Sequence, residues 1–249
     1  MRIFRDLLVL ATTATLVALV PPQVHAQHGA DDDHHDDRAH HAEHREGGAG
    51  YFAIGTNVLG VDALNDRLSA FGYPTFGSAF LSLGGGGYGL IGGRVLLGGE
   101  GHGLIRPSQS VRGRDVSVGG GYGLATIGYL AVARSSWRVY PQLGVGAGGF
   151  TVDIGSAGEA TEFDDVLDNP NRRAELSRGS LLVSLALNAT YAFSGAKEPG
   201  GFRLGVQAGY LLAPYSSDWQ LDADALADGP DAGFDGPFIR LLIGGGGGR

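Results

Sequence analysis

The amino-acid sequence predicts an all-β fold, an eight-stranded antiparallel up-and-down transmembrane β-barrel with one short loop helix. Three observations predict it. Eight segments stand out between turn residues, and most of them alternate between large apolar residues and small or polar ones, which is the period-two pattern of β-strands. The connections between these segments are short and long in turn. Finally, arginine and large aromatic residues sort onto opposite faces of the strands, as the two faces of a membrane barrel require.

The eight segments account for most of the chain after residue 50. They span 51–59, 79–91, 94–105, 115–133, 137–153, 180–193, 201–213 and 237–246. In 180–193 one face carries mainly leucine, valine and aromatic residues, whereas the other is mostly serine, alanine, asparagine and threonine. A soluble half-buried sheet sets charged residues opposite its apolar face. The small face therefore predicts the interior of a narrow barrel, and the large apolar face predicts contact with lipid.

The connections between the segments alternate in length without exception. Short links lie at Gly92-Gly93, 134–136 and 194–200, and longer ones at 60–78, 106–114, 154–179 and 214–236. Transmembrane barrels have short periplasmic turns and long extracellular loops. An extra hairpin within 154–179 or 214–236 would give ten strands instead of eight.

Polar residues on the small face predict a network inside the barrel. Its candidate members are Arg94, Glu100, His102, Arg138, Gln142, Arg203, Gln207 and Arg240. Their inward placement matters because arginine facing lipid near the membrane midplane costs about 2–4 kcal/mol. Outward aromatic residues gather at the strand ends predicted to be periplasmic, namely Phe52, Trp137, Tyr191, Phe193 and Phe202. Such residues predict an aromatic girdle at the lipid–water interface.

The first 50 residues differ from the rest of the chain. Residues 1–26 combine two arginines, a 14-residue apolar run over 7–20 and a small residue at Ala26, which predicts a cleaved signal peptide. Residues 27–50 are polar and rich in histidine and aspartate, which predicts disorder because so little apolar surface can be buried. The barrel domain is therefore predicted to occupy 51–249.

The composition excludes several classes of protein. The 249 residues carry a formal net charge of −8 and no cysteine. This balance gives no electrostatic footprint for nucleic acid, and the lack of cysteine excludes a disulfide-stapled domain. No resident cofactor is predicted. Imidazole groups suit a weakly bound divalent transition metal, and the predicted ligands in 27–50 are His28, His34, His35, His40, His41 and His44. A solvated acidic linker is the interpretation that the sequence favours, with weak metal binding as the alternative.

These features together resemble the small outer-membrane barrels of Gram-negative bacteria with OmpA/OmpX-like architecture. The resemblance covers about 48–249 and rests on pattern. It implies insertion into the outer membrane after signal-peptide cleavage, with outer-membrane lipid, lipopolysaccharide and the insertion machinery as partners. Side chains just fill an eight-stranded interior. We therefore expect a structural or surface-interaction role through the long acidic loops, with no open pore and no enzymatic activity.

Two other functions remain open from the sequence. Glu100 and His102 lie two residues apart on the inward face and could form an acid–base pair, in an outer-membrane enzyme that acts on lipid. A soluble, exported, lipocalin-like barrel that binds a small apolar ligand is the other. In the first long connection, the spacing of Val61, Leu64, Leu68 and Phe71 predicts a short amphipathic helix, packed locally, over the barrel mouth or at the lipid interface.

Overall fold

The computed structural model describes residues 47–156, 173–193, 201–221 and 224–246. The predicted signal peptide and the six predicted metal-ligating histidines lie outside them. Residues 47–50 belong to the first strand, so the barrel begins four residues earlier than the sequence pattern predicts.

Eight long strands form a closed antiparallel barrel. They are β1 (Gly47–Val58), β2 (Ala79–Ile91), β3 (Val95–Ile105), β4 (Arg114–Tyr129), β5 (Trp137–Ser156), β6 (Arg173–Phe193), β7 (Gly201–Ser216) and β8 (Gly236–Gly246). Each strand pairs with the next along the chain, and β8 pairs with β1 to close the barrel. The predicted fold class is therefore confirmed.

The two longest strands extend beyond their predicted ends. β5 and β6 remain paired as far as Gly155 and Arg173, so 154–156 and 173–179 of the connection predicted over 154–179 are strand. The pattern concealed this extension because the outward residues there are small or polar: Gly155, Glu175, Ser177 and Gly179 replace the apolar residues found lower on the same strands. The strands thus continue past the apolar part of the barrel with a water-compatible outer face.

Four short strands pair with the long strands or with each other. Gln109–Val111 pairs with β4, and Val132–Arg134 pairs with β5. Trp219–Leu221 and Asp224–Leu226 form a small hairpin, which contacts β6 through Gln220 and Leu221. The fourth long connection does contain a hairpin, but it stays outside the closed ring of strands. The ten-stranded alternative is therefore wrong.

Large apolar side chains cover the outside of the barrel. Those exposed by more than a third on the eight long strands are Phe52, Ile54, Leu81, Ile91, Leu97, Ile105, Ile127, Tyr129, Trp137, Leu143, Val145, Leu181, Leu185, Leu187, Phe193, Phe202, Val206, Tyr210, Leu212, Tyr215, Ile239 and Leu241. Their alternation with buried neighbours places the other face of each strand in the interior.

An apolar cluster closes the end of the barrel that carries the long connections. The helix α1 (Asp62–Ala70) buries Leu64 and Leu68 in this cluster, where they join Phe80, Phe150 and other side chains from the barrel interior. Phe71, predicted on the same face, is 65% exposed because it follows the last helical residue. The helix is predicted to pack locally, over the barrel mouth or at the lipid interface. In the structure it packs at the barrel mouth. Among the described residues no helix is long and apolar enough to cross a membrane.

A second, smaller apolar cluster lies toward the opposite end of the interior. Leu96, Leu130 and Tyr140 form it, with Tyr88 and Leu90 packed against them. Along β3 the order is Leu96, then Glu100 and His102, then Leu104 of the first cluster. Polar residues therefore occupy a layer between two apolar ones.

Candidate functional site

A buried polar network fills the middle of the barrel, and all eight strands contribute to it. We call it the central network. Its members are Tyr51 and Asn57 from β1, Ser82 from β2, Glu100 and His102 from β3, Tyr122 from β4, Gln142 from β5, Asn188 from β6, Gln207 from β7 and Arg240 from β8. Because each strand supplies a polar group at this level, the network ties the ring together from within.

Arg240 is the centre of the network and is only 1% exposed. Its Nη1 donates to Gln207 Oε1 at 2.9 Å and lies 3.0 Å from His102 Nε2. Its Nη2 donates to Asn57 Oδ1 at 3.2 Å and to the hydroxyl of Tyr122. Both terminal nitrogens are therefore hydrogen-bonded, as a guanidinium removed from water requires.

Glu100 supplies the negative charge that balances Arg240. Its Oε2 accepts hydrogen bonds from Tyr51 (2.9 Å), Gln207 (3.1 Å) and Gln142 (3.3 Å). Its Oε1 lies 3.5 Å from Arg240 Nη1, and the side chain is 1% exposed. A buried charge is tolerated where an opposite charge and hydrogen bonds replace water. Each of the two buried charges, on Glu100 and on Arg240, is therefore stabilised by the other.

The hydrogen bonds of His102 determine which of its ring nitrogens carries the proton. Arginine has donors only, so His102 Nε2 accepts from Arg240 and the proton resides on Nδ1. Nδ1 lies 3.4 Å from Ser82 Oγ, which makes that hydroxyl an acceptor. A serine activated as a nucleophile needs the reverse arrangement, in which the histidine accepts its proton. The geometry therefore suits a structural contact between Ser82 and His102.

Glycines on β2 provide the space for these side chains. A Cβ atom on Gly84 would lie 2.5 Å from His102 Nδ1, and one on Gly86 would lie 2.8 Å from the Tyr51 hydroxyl. Both distances are well below van der Waals contact. The glycine content of the inward face, which is unusual for a strand, thus follows from the size of the groups that share the interior.

Five of the eight predicted interior residues belong to the central network: Glu100, His102, Gln142, Gln207 and Arg240. Arg203 is buried nearer the end of the barrel that holds the second apolar cluster. Its Nη1 donates to the Tyr88 hydroxyl at 3.4 Å, and it lines a cavity of about 20 Å³. Arg138 is half-buried at the start of β5, where it pairs with Thr190.

The inward placement of Arg94 is wrong. Arg94 is exposed, and its Nη1 donates to the hydroxyl of Tyr129 at 3.0 Å on the outside of the barrel. The physical reason is the tight turn at Gly92 and Gly93, where φ is +58° and +74°. Strand alternation does not extend through such a turn, so the sequence period misplaces the residue that follows it.

Sequence reasoning missed five members of the network: Tyr51, Asn57, Ser82, Tyr122 and Asn188. Tyr122 and Asn57 lie within 3.4 Å of each other, and Asn188 donates to Gln142 at 2.9 Å. A signal for them was present, because each is a polar residue on the small face of its strand. What the sequence does not show is which of these polar residues meet across the interior.

The predicted girdle residues lie on the outer surface. Trp137, Tyr191, Phe193 and Phe202 form a continuous row, with successive ring centroids 5.2, 4.8 and 5.6 Å apart. Phe52 is 50% exposed and lies on β1, opposite Gly85 and Ile243 in the strand register. Tyr129, which was not predicted, is also exposed at this end of the barrel.

The described loop residues hold no group of three or more histidine, cysteine or carboxylate side chains arranged to bind a metal. The fourth long connection has exposed carboxylates at Asp218, Asp224, Asp228, Asp231 and Asp235. Asp231 pairs with Arg178 at 2.9 Å, and its side chain is 93% exposed. Asp235 accepts a hydrogen bond from the amide of Ala213. These carboxylates lie on the surface of a loop that packs against the barrel.

No family model matches the sequence, and no curated protein matches it. The solved structures found include Ail, the attachment invasion locus protein of Yersinia pestis, with a TM-score of 0.39 and 12% identity over 83% of this chain and 98% of that one. Ail in complex with the heparin analogue sucrose octasulfate gives 0.38 and 10% over 82% and 96%. The outer membrane protease OmpT from Escherichia coli gives 0.35 and 8% over 84% and 98%.

Proposed function

We propose that this chain is an outer-membrane barrel of a Gram-negative bacterium, with a structural or surface-interaction role and no open pore. One observation carries the proposal: the barrel buries its charged groups and exposes its large apolar ones. Glu100 and Arg240 are enclosed, whereas Leu185 and Leu187 are 54% and 55% exposed. Fully burying one such leucine is worth about 1.5–3 kcal/mol in water. A surface with so many of them is suited to lipid as its solvent.

Filling of the interior supports the absence of a pore. The first apolar cluster, the central network and the second apolar cluster follow one another along the barrel. The cavity beside Arg203 has a volume of about 20 Å³, which is enough for about one water molecule. A lipocalin-like binder would need its apolar face to line a ligand-sized cavity. The described residues instead direct that face outward.

Enclosure also favours a structural role for the polar residues over catalysis. The side chain of His102 is 0% exposed, and both of its ring nitrogens are engaged by Arg240 and Ser82. A lipid substrate would have to displace one of the apolar clusters to reach it. We therefore propose that the central network holds the strands together.

A role in surface interactions is supported by the fourth long connection. Trp219 and Phe234 anchor it in the first apolar cluster, and Trp219 Nε1 donates to Pro230 O at 2.7 Å. Its five exposed aspartates are thus presented on a folded support. We propose that this surface engages cationic groups, such as divalent ions bridging to lipopolysaccharide or basic segments of other proteins.

Cell fractionation followed by gel mobility tests the proposal. The full chain is expressed in a Gram-negative host, and its outer-membrane, inner-membrane and periplasmic fractions are separated. We expect a detergent-requiring protein in the outer membrane, whose SDS-gel mobility changes on boiling because a closed barrel resists SDS. Recovery in the periplasm without detergent, and with no mobility change, would overturn the proposal. Steady single-channel conductance of the purified protein in planar bilayers would overturn the closed-barrel part alone.

A further inference from the structure

A groove lies on the outside of the barrel at the end that carries the short turns. We call it the turn-side groove. It runs between the β2–β3 turn and the short strand Val132–Arg134, and its volume is about 380 Å³. Gly93, Arg94 and residues 130–134 line it. It is separate from the central network, which lies inside the barrel.

Two arginines give this groove a positive charge that nothing in its lining neutralises. Arg94 and Arg134 are both exposed, and no carboxylate is among the lining residues. Within the described residues neither arginine forms an ion pair. Tyr129 holds the Arg94 guanidinium through its hydroxyl at 3.0 Å. Guanidinium groups favour phosphate and carboxylate, which they bind through two parallel hydrogen bonds.

The backbone of the short strand adds one donor to the same groove. The strand pairs with β5 on one side only. The amide of Ala131 donates to Val139 O on β5, whereas the amide of Leu130 donates to Arg94 O on the other side. In the register Val132 pairs with Val139, and Arg134 pairs with Trp137 across a two-residue turn. The amides of Val132 and Arg134 therefore bond to β5, and the amide of Ala133 between them faces the groove. An unpaired strand edge of this kind presents N–H groups to a ligand.

The residues around the groove are of the kinds that lie at the headgroup region of a bilayer. Tyr129 and Trp137 are 46% and 52% exposed beside it, at the end of the barrel where the aromatic row lies. Further along β3 and β4 the outward positions are glycines, among them Gly99 and Gly123. Leu97 and Ile127 lie outward between the groove and these glycines. Acyl chains could therefore lie against apolar side chains and, beyond them, against a shallow backbone surface.

We propose that the turn-side groove binds the phosphate of a phospholipid in the adjacent leaflet, with Arg94 and Arg134 as its cationic ligands. The inference rests on the proposed membrane location. A phospholipid fits better than a soluble anion because the charged groove opens onto an aromatic and apolar surface. The amide of Ala133 completes the phosphate site, and Tyr129 positions Arg94.

Lipid retention by the folded barrel tests this site. The protein is folded in neutral detergent micelles and titrated with dioleoylphosphatidylglycerol, and the bound lipid is counted by native mass spectrometry. The variant R94Q/R134Q removes both charges, and R112Q removes an exposed arginine of the β3–β4 hairpin as a matched control. A lost hydrogen bond to a charged group corresponds to about a tenfold change in affinity. We expect at least that loss in the double variant, and less than a twofold change in the control.

Several further results would contradict a phospholipid site in the groove. Equal retention by wild type and R94Q/R134Q would overturn it, and so would equal binding of dioleoylglycerol, which has no phosphate. Displacement of the lipid by an equimolar amount of glycerol phosphate would overturn the preference for a lipid. If the double variant does not fold, Y129F decides, because it removes only the hydroxyl that holds Arg94; unchanged retention would then overturn the site.

Flotation of the wild-type protein with phospholipid vesicles separates this inference from the proposed function. Failure to float contradicts the membrane location itself. Flotation together with unchanged lipid retention in R94Q/R134Q contradicts the groove alone.

Discussion

At the scale of single residues, the pairing of Glu100 with Arg240 makes the sharpest prediction. Arg240→Met leaves the Glu100 carboxylate buried without its cation. Breaking a buried pair in this way costs about 3–5 kcal/mol. We expect the free energy of unfolding to fall by that amount, measured by urea titration of the barrel in lipid vesicles.

A double variant separates lost charge balance from lost packing. Glu100→Gln combined with Arg240→Met removes both charges, and the glutamine still accepts a hydrogen bond from Tyr51. We expect this variant to be more stable than Arg240→Met alone, because no unpaired charge remains buried. If the double variant is the less stable of the two, the pair does not act as a unit.

The inward and outward glycines should respond differently to an added methyl group. A Cβ atom on Gly86 would lie 2.9 Å from Glu100 Cβ and 2.5 Å from Gly99 O, whereas one on Gly149 would have nothing within 4 Å. Overpacking costs about 1–3 kcal/mol, and we expect Gly86→Ala to lose that much stability in urea titration. Gly149→Ala, the matched control on the outward face, should remain within about 0.5 kcal/mol of wild type. Equal effects would contradict the assignment of the two faces.

At the scale of structural elements, the hairpin between β3 and β4 depends on a two-residue turn. Val111 pairs with Arg114, and the two residues between them have φ of +52° at Arg112 and +76° at Gly113. A type I′ turn needs positive φ at both positions. We expect Gly113→Ala to destabilise the hairpin by about 1–2 kcal/mol, seen as faster hydrogen exchange in Gln109–Val111. Arg112→Asn should slow that exchange, since asparagine tolerates this conformation; no change in either variant would contradict the turn type.

The helix α1 should be held at the barrel mouth by its two buried leucines. Leu64 is 4% exposed, and truncating such a residue to alanine costs about 2–5 kcal/mol. Local opening then becomes easier, so Leu64→Ala should increase tryptic cleavage after Arg67 by at least about tenfold. Phe71→Ala is the control, because Phe71 is already 65% exposed. Equal cleavage in the two variants would show that α1 does not depend on the cluster.

At the scale of the whole molecule, the sequence predicts the barrel well because alternation and connection length are local properties of the chain. It predicts the interior less well. The predicted inward placement of Arg94 is wrong because a turn with two left-handed glycines interrupts the strand period. The predicted ends of β5 and β6 are too early because the outward residues beyond them are no longer apolar. The contacts of the central network were beyond sequence reasoning, since Arg240 meets His102 across 138 positions of the chain, and only the closed register brings them together.

In a membrane-embedded barrel, the cost of an outward arginine depends on its depth in the bilayer. Along β6 the outward residues change from Glu175 and Ser177 to leucine at Leu181, Leu185 and Leu187, and then to the aromatic residues Tyr191 and Phe193. This order places Leu187 near the middle of the apolar belt, Leu181 near its loop-side border and Glu175 outside it. Arginine on the lipid face costs about 2–4 kcal/mol at the midplane and about 0–1 kcal/mol near the interface.

We therefore expect Leu187→Arg to lower the free energy of unfolding in vesicles by about 2–4 kcal/mol, and Leu181→Arg by about 0–1 kcal/mol. Glu175→Arg, the control beyond the belt, should change it by less than about 0.5 kcal/mol. Urea titrations of the three variants in one vesicle preparation give the comparison. If all three substitutions cost the same, the outer face does not sense depth in a bilayer. The apolar surface would then need another explanation, such as burial against a protein partner.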